Sequence, residues 1–159
     1  MADLKKLIKK MEAFERYVNN DLKTIIGVEA VKHFKKSFDD EGFTDKTLKK
    51  WKEVERRKAD SPWYGFKYGT KGVSSAAATG KIMTGNSDLA DSIQWELTNT
   101  GVNVSAKTPY AEVQNKGGTI KVFGKKSVEL TARPFMGESE VLRKKILKEV
   151  KKDLDRILK

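Results

Sequence analysis

The sequence predicts an α+β fold: a small antiparallel β-sheet packed with long N-terminal and C-terminal amphipathic helices, and a long irregular arm. Apolar residues recur at three- and four-residue spacings over about 3–19 and 21–41, and again over 138–158, which is the helical period. Between Ile93 and Thr131 the pattern changes to a period of two, interrupted by the turn residues Asn99, Thr100 and Gly101 and by Gly124. From Ser61 to Lys81 neither period holds.

In the first helix Leu4, Leu7, Ile8, Met11, Phe14 and Val18 share one face, with lysines and acids opposite. Asn19, Asn20 and Asp21 break the pattern and cap a second helix carrying Leu22, Ile25, Ile26, Val28, Ala30, Val31, Phe34 and Phe38, with Gly42 as its stop. Both stripes read as core packing in preference to a membrane-surface or partner-groove role. A shorter helix is expected from Asp45 to about Arg57, where Leu48, Trp51 and Val54 lie three apart, ended by Asp60, Ser61 and Pro62. The arm, 61–81, sets Trp63, Tyr64, Phe66 and Tyr68 among glycines and then runs through small residues to Gly80. An irregular segment of that length in a compact domain is usually functional or disordered. This one is expected to pack on its own domain or on a neighbouring subunit.

After a short helical turn near Asp88, the residues Ile93, Trp95 and Leu97 alternate with polar ones as in a half-buried strand. Val102 and Val104 return beside it, Tyr110 to Val113 begins a third strand, and 119–123 with 127–131 forms a hairpin around Gly124. The last helix carries Val141, Leu142, Ile146, Leu147, Val150, Leu154, Ile157 and Leu158, with Glu138 or Ser139 at its start.

A chain of 159 residues suits one domain, 1–159, with a single core. The absence of cysteine excludes disulfides and thiolate metal sites. No stretch approaches the ~20 apolar residues of a bilayer span, and the N-terminus lacks the apolar core of a secretion signal, so neither a membrane role nor export is expected. The only histidine, His33, has no cysteine or second histidine to complete a metal site or activate a nucleophile, and reads as a boundary residue. Asp39, Asp40 and Glu41 read as solvated acids. Gly69 to Gly72 and Thr79 to Lys81 miss the spacing of a phosphate-binding loop. No enzyme, cofactor or metal is expected.

The formal charge of +11 and pI near 9.7 raise a nucleic-acid reading, because clustered cations release counterions on binding phosphate. Most basic residues are interleaved with acids. The less balanced region is 46–81, where Lys49, Lys50, Lys52, Arg56, Arg57, Lys67 and Lys71 are the candidate phosphate contacts and the arm aromatics could stack bases.

The most specific pattern lies later in the chain. In order come Thr84-Gly85, Leu89, Ser92-Ile93, Tyr110-Ala111, Gln114, Gly117-Gly118 and Arg133-Pro134-Phe135-Met136-Gly137, with residues 86–88 widening the first spacing. Gly117 and Gly118 permit positive φ or close backbone approach, and Pro134 forces a turn by restricting itself and Arg133. This order resembles the phage virion-morphogenesis family, the tail-completion proteins of Mu-like and P2-like phages, over more than half the chain. Phe43, Trp51 and Trp63 are loose counterparts of that family's upstream aromatics.

The resemblance implies a structural assembly protein: a subunit of a homo-oligomeric ring, a hexamer in the family, at the neck or head-proximal end of the tail, enabling head-tail joining. Its implied partners are copies of itself and tail-tube or head-connector proteins, with non-specific contact to phage DNA. Its implied location is the virion, and the host cytoplasm during assembly. The expected partner-binding residues are Tyr110, Gln114, Asn115, Gly117, Gly118, Arg133 and Phe135. Tyr110 anchors the sheet to a helix, Gln114 and Asn115 present hydrogen-bonding groups beside the glycine bend, Arg133 pairs with a carboxylate, and Phe135 plugs the core. The alternative is a stand-alone basic nucleic-acid-binding protein using 46–81.

Overall fold

The computed structural model describes residues 2–67, 69, 71–85, 88–122 and 126–159. Tyr68 of the arm, residues 86–87 of the widened spacing, and Phe123 with Gly124 of the second hairpin lie outside the described residues. The fold is α+β, with helices at both ends of the chain and antiparallel hairpins between them.

The first forty residues form one rod: α1 (Ala2–Arg16), a π-helical turn (Tyr17–Asp21) and α2 (Leu22–Asp40). Asn19 to Asp21 therefore does not separate two capped helices. Asp21 is itself helical and makes no side-chain cap, and the Leu22 N–H reaches back to the Tyr17 carbonyl. Tyr17 accounts for the continuity, since its ring is buried in the wide turn with its hydroxyl near Asp153 of the last helix. Burial, then Asp153 and Asp21, push the Tyr17 phenol above its usual pKa.

Helix α2 carries the core face: Ala30, Phe34 and Phe38 meet Phe43, Trp51, Ile82, Leu89, Ile93, Ala111, Phe135 and Leu142. The α1 stripe is different, and the expectation that it packs in the core is corrected. Leu4, Leu7, Ile8, Met11, Phe14 and Val18 are all exposed, Met11 by 63%. The last turn of the C-terminal helix reaches α1 at Lys10, whose ammonium donates to the Leu158 carbonyl, and leaves the stripe beside it uncovered.

Glu41 ends α2 in the left-handed region (φ 50°) and turns the chain into a hairpin, β1 (Gly42–Thr44) with β2 (Leu48–Lys50). This replaces the helix expected over 45–57, of which a 3-10 turn, Glu55–Arg57, remains. The spacing of Leu48, Trp51 and Val54 is not a helical face: Leu48 is exposed while Trp51 is buried and gives its backbone N–H to Glu41. Tertiary hydrogen bonds override the local pattern, because Asp45 caps another helix. Its carboxylate accepts from Glu140 N–H (3.0 Å) and its carbonyl from Val141 N–H (3.0 Å). Ser139 Oγ accepts from Leu142 N–H (3.1 Å) and donates to the Thr44 carbonyl (2.8 Å), so α6 (Glu140–Leu158) begins on a cap shared with the β1–β2 turn. His33 is half-buried, with Nε2 donating to Thr44 O at 2.9 Å.

The arm contains α3 (Ser75–Thr79), capped at Ser74, and its backbone is tied back by Gly65 N–H to Arg56 O and Ser74 N–H to Gly65 O. After the short α4 (Asp88–Asp91), β3 (Ile93–Leu97) and β4 (Val102–Ala106) pair with Trp95 opposite Val104, and β3 packs on α2. Gly27 makes that packing possible: a Cβ there would lie 2.3 Å from the Trp95 ring. The third strand expected from Tyr110 is instead α5 (Ala111–Lys116), whose Glu112 and Lys116 pair one turn apart at 2.9 Å. Then β5 (Gly118–Val122) pairs with β6 (Lys126–Leu130), Ile120 opposite Val128. Among the described residues the strands expected to form one small sheet pair as two separate antiparallel ladders, β3–β4 and β5–β6, and β1–β2 adds a third. Among the described residues no helix is long and apolar enough to cross a membrane.

Two measurements test this packing. Gly27→Ala should shift the Trp95 fluorescence and lower stability by about 2 kcal/mol, an overpacking cost. For Glu41, burial raises the carboxyl, but the Ile82 N–H (2.7 Å) and Arg57 (2.6 Å) outweigh it and hold its pKa below the ordinary 4.5. A depressed folded value gives stability that is complete above the unfolded pKa and lost as pH falls through the folded one. Glu41→Gln should therefore lower Tm at neutral pH and flatten the loss of Tm below about pH 4.5.

Candidate interaction surface

The corner formed by the end of α5, the Gly117-Gly118 bend and residues 133–136 brings together most of the expected partner-binding residues. Asn115, in the last turn of α5, faces that corner. Its Oδ1 accepts from Phe135 N–H (2.7 Å) and Met136 N–H (3.0 Å), and its Nδ2 donates to Met136 O (2.9 Å). Arg133 N–H donates to Gln114 O at 2.8 Å, and the Trp51 indole N–H donates to Pro134 O at 2.7 Å. Phe135 is 1% exposed, with Phe38 at 5.3 Å between ring centroids and its carbonyl accepting from Ser37 Oγ. Phe135 plugs the core, as expected, whereas the amide of Asn115 is turned inward to hold the chain's own corner.

Gly117 needs its lack of a side chain twice over. Its φ is 75°, and a Cβ would sit 2.9 Å from Ala132 N and 3.0 Å from Leu130 O. Gly118 has φ 138°, but its nearest neighbour would be Val113 Cγ2 at an ordinary 3.6 Å. Tyr110 is 40% exposed at the start of α5 and does not join a strand.

Two polar atoms at the corner have no hydrogen-bond partner among the described residues. The Gln114 Oε1 and the Arg133 Nε are both buried without a hydrogen bond. The carboxylate expected to pair with Arg133 is not in contact. Burial pushes its guanidinium below the usual value, Arg56 adds to this, and Glu53 opposes it from a distance. A buried group left unpaired costs about 1–3 kcal/mol, so both atoms are a local cost of folding this corner.

The adjoining β5–β6 hairpin projects Thr119, Lys121, Ser127 and Glu129 into solvent and, among the described residues, has no third strand. An isolated two-stranded hairpin is marginal in water, and its unpaired edges are templates for another chain.

The basic region is less available than the sequence implies. Arg56 donates to the carbonyls of Ala77, Gly80 (3.0 Å) and Lys81 (2.8 Å), closing the C-terminal end of α3. Arg57 pairs with Glu41 (2.6 Å) and Glu53 (3.0 Å), and Lys50 donates to the Asp40 carbonyl. Lys49, Lys52, Lys67 and Lys71 are exposed, and Trp63 and Phe66 stack edge to face at 5.3 Å on the surface. The acids read as solvated are paired as well: Asp39 with Lys81 (2.8 Å) and Asp40 with Lys36 (2.6 Å). Among the described residues no group of three or more His, Cys, Asp or Glu is placed to hold a metal ion.

Residue roles absent from the expected set are those of Trp51, Ser37 and Glu41. A Trp in a polar stretch signals an indole N–H that needs an acceptor, but the acceptor, 83 residues away, leaves no local trace. Asn115→Ala should lower stability by about 2 kcal/mol through the orphaned corner N–H groups. Gly117→Ala should lower Tm more than Gly118→Ala, since both are strained but the first also clashes with backbone.

The comparisons with known proteins agree with the motif order. No curated protein matches the chain, and no solved structure matches it. The model of the phage virion morphogenesis family matches residues 47–155, well over half of the 159 residues and including the whole corner. The chain therefore belongs to the phage virion morphogenesis family, and its role is that of a phage structural or assembly protein.

Proposed function

We propose that this protein is a tail-completion or neck subunit that forms a ring at the head-proximal end of the tail and makes tails competent to join filled heads. The observation that carries this reading is the corner itself. It is a rigid block bolted by Asn115 and Trp51, yet it leaves Arg133 Nε and Gln114 Oε1 unsatisfied beside a hairpin with open edges. What such a block offers to another protein is the hairpin edge, since the two unpaired atoms are themselves closed to solvent. Self-association into a ring and contact with tail-tube or connector proteins are both supported by the same feature, because a strand edge is extended by any neighbour that offers backbone groups. With Arg56, Arg57 and Lys50 engaged inside the chain, duplex DNA is a passing, non-specific contact of the remaining surface lysines.

Deleting the gene from a phage that carries it, followed by electron microscopy of the lysate, tests the reading. Filled heads separate from tails, restored to virions by a plasmid copy, are the expected result; an undiminished titre of joined particles would end it. Arg133→Met, which keeps the alkyl volume and removes the unpaired Nε–H, should leave Tm unchanged or higher and still lower virion yield in that complementation. A drop in Tm that accounts for the lost yield would return Arg133 to a purely structural role.

A further inference from the structure

We propose that the exposed face of α1 is the contact between copies of this chain, with α1 helices packing in parallel about a common axis. The stripe has coiled-coil spacing: Leu4, Leu7, Met11 and Phe14 step by three and four alternately along α1, occupying the two apolar positions of a heptad, and Val18 follows four residues on in the wide turn. Ile8, beside Leu7, widens that seam beyond the two-position stripe of a simple pair, as bundles of more than two helices require. In the single chain these side chains are exposed by 37 to 63%, and Leu158, 58% exposed, extends the patch from α6. All of them but Leu4 line an apolar groove of about 770 Å³ along α1.

Area and charge both point to a second copy as the occupant. Seven such side chains leave on the order of 600 Å² of apolar surface open, near the ~800 Å² per partner of a standard interface and at the scale that marks an interaction site on a monomer. In the heptad frame Lys10 and Glu15 flank the seam on opposite sides, five residues apart. Parallel packing sets Lys10 of one copy against Glu15 of the next, whereas antiparallel packing separates them. The ammonium, with three donors, can keep its bond to the Leu158 carbonyl while meeting that carboxylate. Cyclic symmetry also requires parallel helices around its axis. Helix α1 lies outside residues 47–155, so this contact is an addition to the part of the chain matched by the family.

The inference rests on the self-association in the proposed function and names its surface. Mass measurement by light scattering on the full chain, over dilution up to about 100 μM, tests it, since assembly follows mass action. The wild type should associate, and Leu7→Glu with Met11→Glu should be monomeric at every concentration while keeping the wild-type circular dichroism. Lys10→Glu alone should weaken association by about three-fold, and Lys10→Glu with Glu15→Lys should restore it, the size expected of exposed pairs. That rescue cannot come from the lost Leu158 contact, which both variants lack. A wild type that stays monomeric, an oligomer that survives the double glutamate variant, or a charge swap without rescue each overturns the α1 contact. The gene-deletion phenotype is read independently, so the α1 contact can fail while the tail-joining role stands, and the reverse.

Discussion

Phe135 and the amide of Asn115 hold the molecule together at the place where its two halves meet. The backbone of 133–136 crosses the core as an irregular corner, and irregular buried backbone is costly unless every polar group finds a partner. Asn115 supplies two acceptances and one donation to it, Trp51 and Ser37 supply donors to Pro134 and Phe135, and Gln114 accepts from Arg133. Those partners come from α2, from the segment after β2 and from α5, so the corner fixes three parts of the chain that share no strand ladder. With the described strands of the middle of the chain paired only as separate hairpins, side-chain amide and indole groups do what ladder hydrogen bonds do elsewhere.

The sequence made legible whatever depends on local period. The last helix and its start at Ser139, the hairpin from Ile93 to Ala106, and the core stripe of α2 all follow from spacing and turn residues. What stayed hidden depends on partners far along the chain. Asp45 reads as the start of a helix and in fact caps another almost a hundred residues later. Leu48, Trp51 and Val54 share a helical spacing but not a face, because Trp51 N–H is claimed by Glu41. Tyr110 to Val113 has strand-like composition over too few residues to separate it from a helical turn, and Gly117 decides the matter by ending α5.

The candidate site divides along the same line. Phe135 and the glycine bend were readable because a large apolar side chain and a positive φ carry their own physical signature. The inward turn of the Asn115 amide was not, since an asparagine beside a glycine bend looks the same whether it faces solvent or its own backbone. The cations of the basic region were overvalued for the converse reason: nothing near Arg56 or Arg57 in sequence announces that carbonyls 21 to 25 residues on, or Glu41 sixteen residues back, will occupy them.

The wide turn at Tyr17–Asp21 has an effect that reaches beyond its five residues. It joins two stretches of one rod whose apolar rows have different orientations, one toward the core and one toward solvent. In a helix each residue added or removed swings everything upstream by about 100°. The aim of the first fifteen residues is therefore set by the length of this turn together with the buried Tyr17 that holds it. A residue gained or lost after Tyr17 would rotate the outer row to a new quarter of the molecule and carry the Tyr17 ring out of its buried seat, so the length of this turn ties the outward row to the interior.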